Sequence, residues 1–184
     1  MTLCYSAQSL AKTAAAMAGV TPLTSPPLFM ATFDPALLTG HDFLFFKLHG
    51  LEGQPYWYGD GSVTAISAEQ IASVRIDGAL VFAANCFGGE RSPMVQALLN
   101  SGAACVVTGT GVNYAGQQIP QGADNLGRAW RWAMQFGATA DAALSQAKIA
   151  AGILSPALIG DLQSFSVVGE KKARYKHAGK SQRR

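Results

Sequence analysis

The chain has 184 residues, of which 49% are hydrophobic and 14% are charged. This length and composition fit one globular domain with a single core, and they exclude a disordered, collagen-like or two-domain protein. The net charge of +3 arises at the C-terminal end, since residues 171–184 hold seven of the fourteen Lys and Arg and none of the eleven Asp and Glu. We therefore predict a mildly acidic domain over residues 1–170 and a disordered basic tail over residues 171–184.

The cysteine content and the N-terminus indicate a cellular compartment. Three cysteines, Cys4, Cys86 and Cys105, cannot all pair within one chain, which favours a reducing environment. The first twenty residues lack the basic start of a signal peptide, and no run approaches the roughly 20 apolar residues that span a bilayer. A cytoplasmic protein without a membrane segment is predicted. No C-x-x-C or H-x-x-x-H pair points to a metal, and no cofactor is predicted.

The first 40 residues contain weak signals for secondary structure. Residues 6–18 carry apolar residues at helical spacing behind Ser6, which predicts an amphipathic helix capped by that serine. After a proline-rich stretch, residues 28–34 (LFMATFD) are predicted to form a short strand that ends before Pro35.

Two strong strand signals follow. Residues 42–50 (DFLFFKLHG) and 79–89 (ALVFAANCFGG) are almost continuous apolar runs closed by glycine, which is typical of strands buried on both faces. Between them, SAEQIASV predicts a short helix capped by Ser67, with Gln70 at the position that completes a capping box.

The second half of the chain continues the alternation of helices and strands. The predicted elements are a helix over 91–101, a strand over 104–111, an exposed polar loop over 112–123, helices over 125–137 and 139–154, and an edge strand over 164–170. Buried strands that alternate with helices predict an α/β fold, here a three-layer α/β/α sandwich with a mostly parallel sheet.

His49 and Cys86 stand at the carboxyl ends of the two strongest strands. In a parallel sheet, ligands bind outside these ends. A thiol is nucleophilic as its thiolate, and a neighbouring imidazole takes its proton and later protonates a leaving amine. The other histidines, His41 and His177, lie before the strand and in the basic tail. His49 as general base and Cys86 as nucleophile are therefore the predicted pair.

Glycines beside both residues suit the same chemistry. A tetrahedral intermediate needs backbone N–H donors directed at its oxyanion, and glycine leaves room for the substrate backbone. We predict an oxyanion hole formed by the amides of Gly50 and Cys86. The alternative for Cys86 taken alone is a small buried hydrophobic residue, and Cys4 and Cys105 are assigned to that class.

The run LFFKLHG followed by LVFAANCFGG resembles the strand–His–Gly and strand–Cys signatures of caspase-like cysteine peptidases, a group that includes gingipains, metacaspases and CHAT proteins. Downstream, VQALLNSGAACVVTGTGV and WRWAMQFGATADAALSQAK resemble CHAT segments, so that the resemblance covers about residues 42–150 and leaves residues 1–40 abbreviated or divergent. It implies a caspase-like fold and a cysteine endopeptidase that acts through a thioacyl-enzyme, with His49 and Cys86 as its dyad and Gly50 and Cys86 as its oxyanion hole.

The short caspase signature Q-A-C-[RQG]-G matches this chain only in its C-x-G part, so a preference for Asp is not implied. Four charged residues are candidates for substrate binding: Glu52, Asp60 and Glu90 would favour basic side chains, and Arg91 would favour acidic ones. The sequence does not choose among them. The predicted partners are a protein or peptide substrate and a regulatory protein, with no specific nucleic acid and no membrane.

Three other functions have some support in the sequence. A catalytically inactive caspase-like module that scaffolds or regulates another protein is the main alternative, since a fold persists after its chemistry is lost. An amidotransferase-like hydrolase would need a histidine after its cysteine, and only His177 follows Cys86. The glycines of GTGVNYAG resemble a phosphate loop but lack its G-K-[ST] ending.

Overall fold

A computed structural model describes residues 1–177 of the chain. Strands and helices alternate along it. The strands are β1 Thr2–Ala7, β2 Leu23–Ser25, β3 Phe43–Lys47, β4 His49–Gly50, β5 Tyr56–Tyr58, β6 Thr64–Ser67, β7 Leu80–Ala83, β8 Cys105–Gly109 and β9 Phe165–Gly169. The α-helices are α1 Ala11–Ala18, α2 Ala68–Ala72, α3 Pro93–Asn100, α4 Ala123–Gln135, α5 Ala140–Leu154 and α6 Ile159–Gln163.

Six strands form the central sheet in the order β2-β1-β3-β7-β8-β9. All neighbours are parallel except β9, which runs antiparallel to β8 at one edge. The carboxyl ends of β1, β3, β7 and β8 therefore lie along the same edge of the sheet. The strands β4, β5 and β6 form a separate antiparallel sheet. Within residues 1–177, no helix is both long enough and apolar enough to cross a membrane.

Two hydrophobic cores lie on opposite faces of the central sheet. Because side chains alternate along a strand, Phe43 and Phe45 of β3 face one core while Leu44 and Phe46 face the other. The first core contains residues of α1, α4 and α5, and the second contains residues of α2, α3 and the small sheet. The predicted three-layer α/β/α fold is confirmed.

Two predicted helix starts are also confirmed. The Ser67 hydroxyl accepts a hydrogen bond from the Gln70 amide at 3.1 Å, and the Gln70 side chain accepts one from the Ser67 amide at 3.2 Å, which completes the capping box of α2. Thr139 caps α5 by accepting a hydrogen bond from the Ala142 amide.

Of the two predictions for the first 40 residues, the helix is confirmed over Ala11–Ala18 but not its start at Ser6, and the strand over residues 28–34 is wrong. Residues 2–7 form a buried strand, so Ser6 belongs to β1 and the helix begins only at Ala11. The short run TLCYSA mixes polar and apolar residues and does not alternate, which hides an interior strand. Residues 28–34 form turns, because the Phe29 carbonyl accepts hydrogen bonds from the amides of Thr32 and Phe33.

The start of the basic tail packs against the domain, which differs from the expected disorder from residue 171 onward. Ala173 is buried, and its carbonyl accepts a hydrogen bond from the Ala140 amide at the start of α5. The Tyr175 ring lies 4.9 Å from that of Phe43. These contacts continue the first core beyond the predicted boundary at residue 170. The rest of the tail, residues 178–184, lies outside the described residues.

Candidate active site

His49 and Cys86 follow two neighbouring strands of the sheet. The register of β3 and β7 pairs Phe46 with Ala83, and each of the two reactive residues comes three positions later. Both side chains line one cavity of about 210 Å³ at the carboxyl edge of the sheet. The structure therefore brings together the two residues that the sequence singles out.

Gly50 lies directly against the backbone of Cys86. A side chain at position 50 would place its Cβ 2.1 Å from the Cys86 carbonyl oxygen and 3.4 Å from the Cys86 amide nitrogen. Atoms cannot approach so closely without displacing the chain, so only glycine fits this contact. The two residues predicted to form the oxyanion hole are thus in backbone contact.

Replacing Gly50 by Ala is expected to push the Cys86 loop away from His49. Overpacking of this kind lowers the free energy of unfolding by about 1–3 kcal/mol, and we expect alkylation of Cys86 to change its rate at the same time. Urea unfolding and the rate of iodoacetamide modification measure the two effects. Gly160→Ala is the matched control, because a Cβ at position 160 meets no atom within 4 Å. A Gly50→Ala protein that matches the wild type in both measurements would contradict the contact.

The Cys86 thiol is half-buried and is held by the loop that follows β8. Its Sγ accepts a hydrogen bond from the Asn113 amide at 3.4 Å. The next residue, Phe87, has a left-handed backbone with φ of 53°, and its amide donates to the Gly111 carbonyl at 2.8 Å. A non-glycine residue rarely adopts this conformation, which marks the turn after Cys86 as tightly constrained.

The other two thiols differ sharply from Cys86. Burial raises the pKa values of Cys4 and Cys105 to about 12, so that both stay protonated near neutral pH. Iodoacetamide at about pH 8 is expected to modify only Cys86 in the folded protein and all three cysteines in urea. Intact-mass and peptide-mass spectrometry would count and locate the adducts. Modification of Cys4 or Cys105 as fast as Cys86 in the folded protein would contradict the assignment.

Asp60 is the charged residue beside His49. Its Oδ1 lies 3.7 Å from His49 Nε2, within ion-pair range but beyond hydrogen-bond distance. The Ser9 amide and hydroxyl hold the carboxylate, at 2.6 and 2.7 Å. Partial burial acts to raise the pKa of Asp60, but the hydrogen bonds from Ser9 and the neighbouring His49 outweigh it and leave the pKa below its usual value. Asp60 is thus an anion that faces His49.

Asn85, which the sequence analysis does not single out, connects the two strand ends. Its buried Oδ1 accepts a hydrogen bond from the Leu48 amide at 2.9 Å, next to His49. Its backbone carbonyl accepts one from the Asn113 side chain. Asn113 also donates its amide to Cys86, so one hydrogen-bonded network joins the His49 strand, the Cys86 strand and the loop after β8. An Asn directly before the candidate nucleophile was the only signal available.

A buried ion pair lies beneath the cavity. Lys47, two residues before His49, is 1% exposed, and its Nζ contacts Asp124 Oδ1 at 2.5 Å, where Asp124 is fully buried. The same ammonium donates to Thr13 and to the Gly116 carbonyl. Burial lowers the pKa of Lys47, and Asp124 opposes that effect. A lysine inside an otherwise apolar strand indicates that an acidic partner must exist, but nothing in the sequence identifies Asp124.

The other predicted substrate-binding residues lie away from the Cys86 cavity. Glu52 is exposed in the turn after β4, and Arg91 is exposed before α3. Glu90 lines a separate cavity of about 410 Å³ beside β9. Asp60 lines a cavity of about 390 Å³ on which His49 also borders. Of these four, the structure brings only Asp60 to the dyad.

No family model and no curated protein sequence matches the chain. Solved structures do. The crystal structure of the Arg-specific cysteine proteinase gingipain R aligns with 96% of this chain at 14% identity and a TM-score of 0.63. A complex of the pro- and mature domains of RgpB from Porphyromonas gingivalis aligns with 97% at 13% identity and a TM-score of 0.60. The chain spans 48% and 49% of those chains, about half of their length. Over that half, it has the caspase-like fold of these cysteine proteinases.

Proposed function

We propose that the protein is a cysteine endopeptidase that hydrolyses peptide bonds through His49 and Cys86. The observation that carries the proposal is their placement at equivalent positions just beyond the carboxyl ends of the neighbouring strands β3 and β7, with Gly50 against the Cys86 backbone and one cavity lined by both side chains. The fold shared with cysteine proteinases supports it.

Each residue then has a defined role in acylation. His49 accepts the thiol proton, and the Cys86 sulfur attacks the peptide carbonyl to form a tetrahedral intermediate. The amides of Gly50 and Cys86 donate hydrogen bonds to the oxyanion. The C–N bond breaks as His49 returns its proton to the amine, which leaves a thioacyl-enzyme on Cys86.

Deacylation reverses these roles. A water molecule gives a proton to His49 and attacks the thioester carbonyl. The C–S bond then breaks, the acid product leaves, and Cys86 recovers its proton from His49. Since Nε2 of His49 faces Asp60, Nδ1 is the ring nitrogen left for these transfers.

Asp60 would stabilise the imidazolium that forms in both steps. Asp60→Asn is expected to lower kcat about tenfold, because an ion pair with an exposed partner is strongly screened. Its effect on stability has a defined sign: since the pKa of Asp60 is lowered in the folded state, the ionised carboxylate stabilises the fold above the unfolded value of about 3.9. That contribution disappears as the pH falls through the lowered folded pKa.

Steady-state kinetics and urea unfolding at about pH 6 and about pH 3 test both effects. The stability gap between wild type and Asp60→Asn should be larger at the higher pH. Ser9→Ala removes one hydrogen bond to the same carboxylate. This variant should also lower kcat and the free energy of unfolding at about pH 6. A gap that widens on acidification would reject this role for Asp60.

The activity itself can be tested without knowing the substrate. The full chain is incubated with a peptide library prepared from digested protein, and new termini are identified by mass spectrometry. Wild type should create termini that Cys86→Ala does not. Identical peptide mixtures, together with a protein partner that binds both forms, would favour the inactive scaffold instead.

Several finer assignments stay predictions. These are membership of the CHAT or metacaspase groups, a cytoplasmic location, a protein substrate and a regulatory partner. One neighbouring structure contains pro- and mature domains in complex. That observation supports the proposal of a protein partner for this chain.

A further inference from the structure

The cavity that contains Cys86 has mostly uncharged walls. Leu10, Leu48, Ala84 and Ala115 supply apolar surface, and Gln117 lines it as a neutral polar residue. Its volume is about 210 Å³. This space accommodates one side chain of medium size, such as leucine or methionine.

Among the lysine, arginine, aspartate and glutamate residues of positions 1–177, only Lys47 lines this cavity. Its three donors are used by Thr13, Gly116 and Asp124. It therefore has no proton left for a substrate carboxylate.

Asp124, the partner of Lys47, is equally occupied. Its second oxygen accepts hydrogen bonds from the amides of Gly116 at 2.7 Å and Gln121 at 3.2 Å. Asp60 lines the neighbouring cavity instead and is held there by Ser9. Neither carboxylate lines the Cys86 cavity.

We propose that this cavity receives the substrate side chain on the acyl side of the cleaved bond and selects an uncharged one. The inference rests on the proposed peptidase function and narrows its substrate class. A charged side chain that moved from water into this cavity would find no counter-charge there, which is strongly unfavourable. Leucine or methionine would instead displace water and bury apolar surface against the apolar walls, which is favourable. The structurally similar gingipain R is Arg-specific. The cavity described here lacks the free carboxylate that would bind an arginine side chain.

Peptidyl chloromethyl ketones with the sequence acetyl-Ala-Ala-X test the selection directly, where X is Leu, Met, Arg or Asp. The second-order rate of Cys86 modification, followed by mass spectrometry, is expected to be at least about tenfold higher for Leu and Met than for Arg and Asp. Chloroacetamide, which has no side chain to place, provides the reference rate. Equal or higher rates for Arg or Asp, or peptidyl rates no higher than that reference, would overturn the proposal.

A charge placed in the wall provides a second test. Gln117→Glu, nearly isosteric at an exposed wall position, should raise the rate for the Arg reagent several-fold relative to Leu. Gln118→Glu adds the same charge outside the cavity and should leave the ratio unchanged. If both variants change the ratio of the Arg rate to the Leu rate equally, the side chain of the reagent does not enter this cavity.

The His49→Ala variant separates the proposed dyad from the proposed selectivity. Loss of labelling by the peptidyl reagents in this variant supports the dyad, whichever side chain X is preferred.

Discussion

Replacing Cys86 by Ala is expected to lower kcat/KM for any cleaved peptide by about 10⁴-fold or more, because the reaction loses its nucleophile. His49→Ala should have an effect of similar size, since the thiol then has no adjacent base. The two residues act in one step, so the double variant should be hardly worse than either single variant. Steady-state kinetics with a peptide found in the library experiment measures all three.

Matched variants control for the loss of a thiol or an imidazole elsewhere. Cys105→Ala removes a buried thiol of the core, and His41→Ala removes an imidazole whose Nε2 lies 3.1 Å from the Leu37 carbonyl outside the site. Both should keep kcat/KM within a few-fold of wild type once folding is verified. Additive losses in the double variant, or an equal loss in Cys105→Ala, would argue against a dyad.

Asp124→Ala is expected to lower the free energy of unfolding by about 3–5 kcal/mol, because it leaves the Lys47 ammonium buried without its counter-charge. It also removes the acceptor for the Gly116 and Gln121 amides. Urea unfolding monitored by tryptophan fluorescence measures the change. Asp141→Ala, an exposed acid in the first turn of α5, should cost less than about 1 kcal/mol.

A paired replacement separates the charge from the packing. Lys47→Met with Asp124→Leu removes both charges and keeps apolar volume, so it should recover most of the stability that Asp124→Ala loses. The Gly116 carbonyl and amide lose their partners in the pair variant, and the wall of the Cys86 cavity should loosen. We therefore expect the pair variant to be more stable than Asp124→Ala. Its relative rates of modification by the peptidyl reagents with different X should differ from those of the wild type. A pair variant as unstable as Asp124→Ala would show that the loop contacts, and not the uncompensated charge, dominate.

The centre of the sheet and the proximity of His49 and Cys86 were predictable because their signals are local. Aromatic and aliphatic runs closed by glycine mark β3 and β7, which are buried on both faces. Parallel strands place their carboxyl ends on one edge, so the residues after β3 and β7 are expected at the same edge of the sheet once both strands are identified. The prediction of His49 and Cys86 as a pair follows from that placement together with the adjacent glycines and the resemblance to caspase-like peptidases.

The remaining features depend on contacts between distant parts of the chain. β1 lies between β2 and β3, yet its short mixed sequence carries no strand periodicity. Lys47 and Asp124 are 77 residues apart, and a sequence cannot show which acid meets a buried lysine. Asp60 lies near His49 because β4 and β5 pair antiparallel with His49 opposite Tyr58, two residues before Asp60. The sequence does not reveal that pairing, so it predicts Asp60 only as a candidate for substrate binding.

Labelling by a peptidyl acyloxymethyl ketone tests the proposed dyad most directly, since such reagents need an activated thiol and a bound peptide. One adduct per chain, located on Cys86, is expected in the folded wild type. His49→Ala and the urea-unfolded protein should remain unlabelled, while His41→Ala should label like wild type. Equal labelling of folded and unfolded protein, or labelling of Cys86 that persists in His49→Ala, would contradict the account.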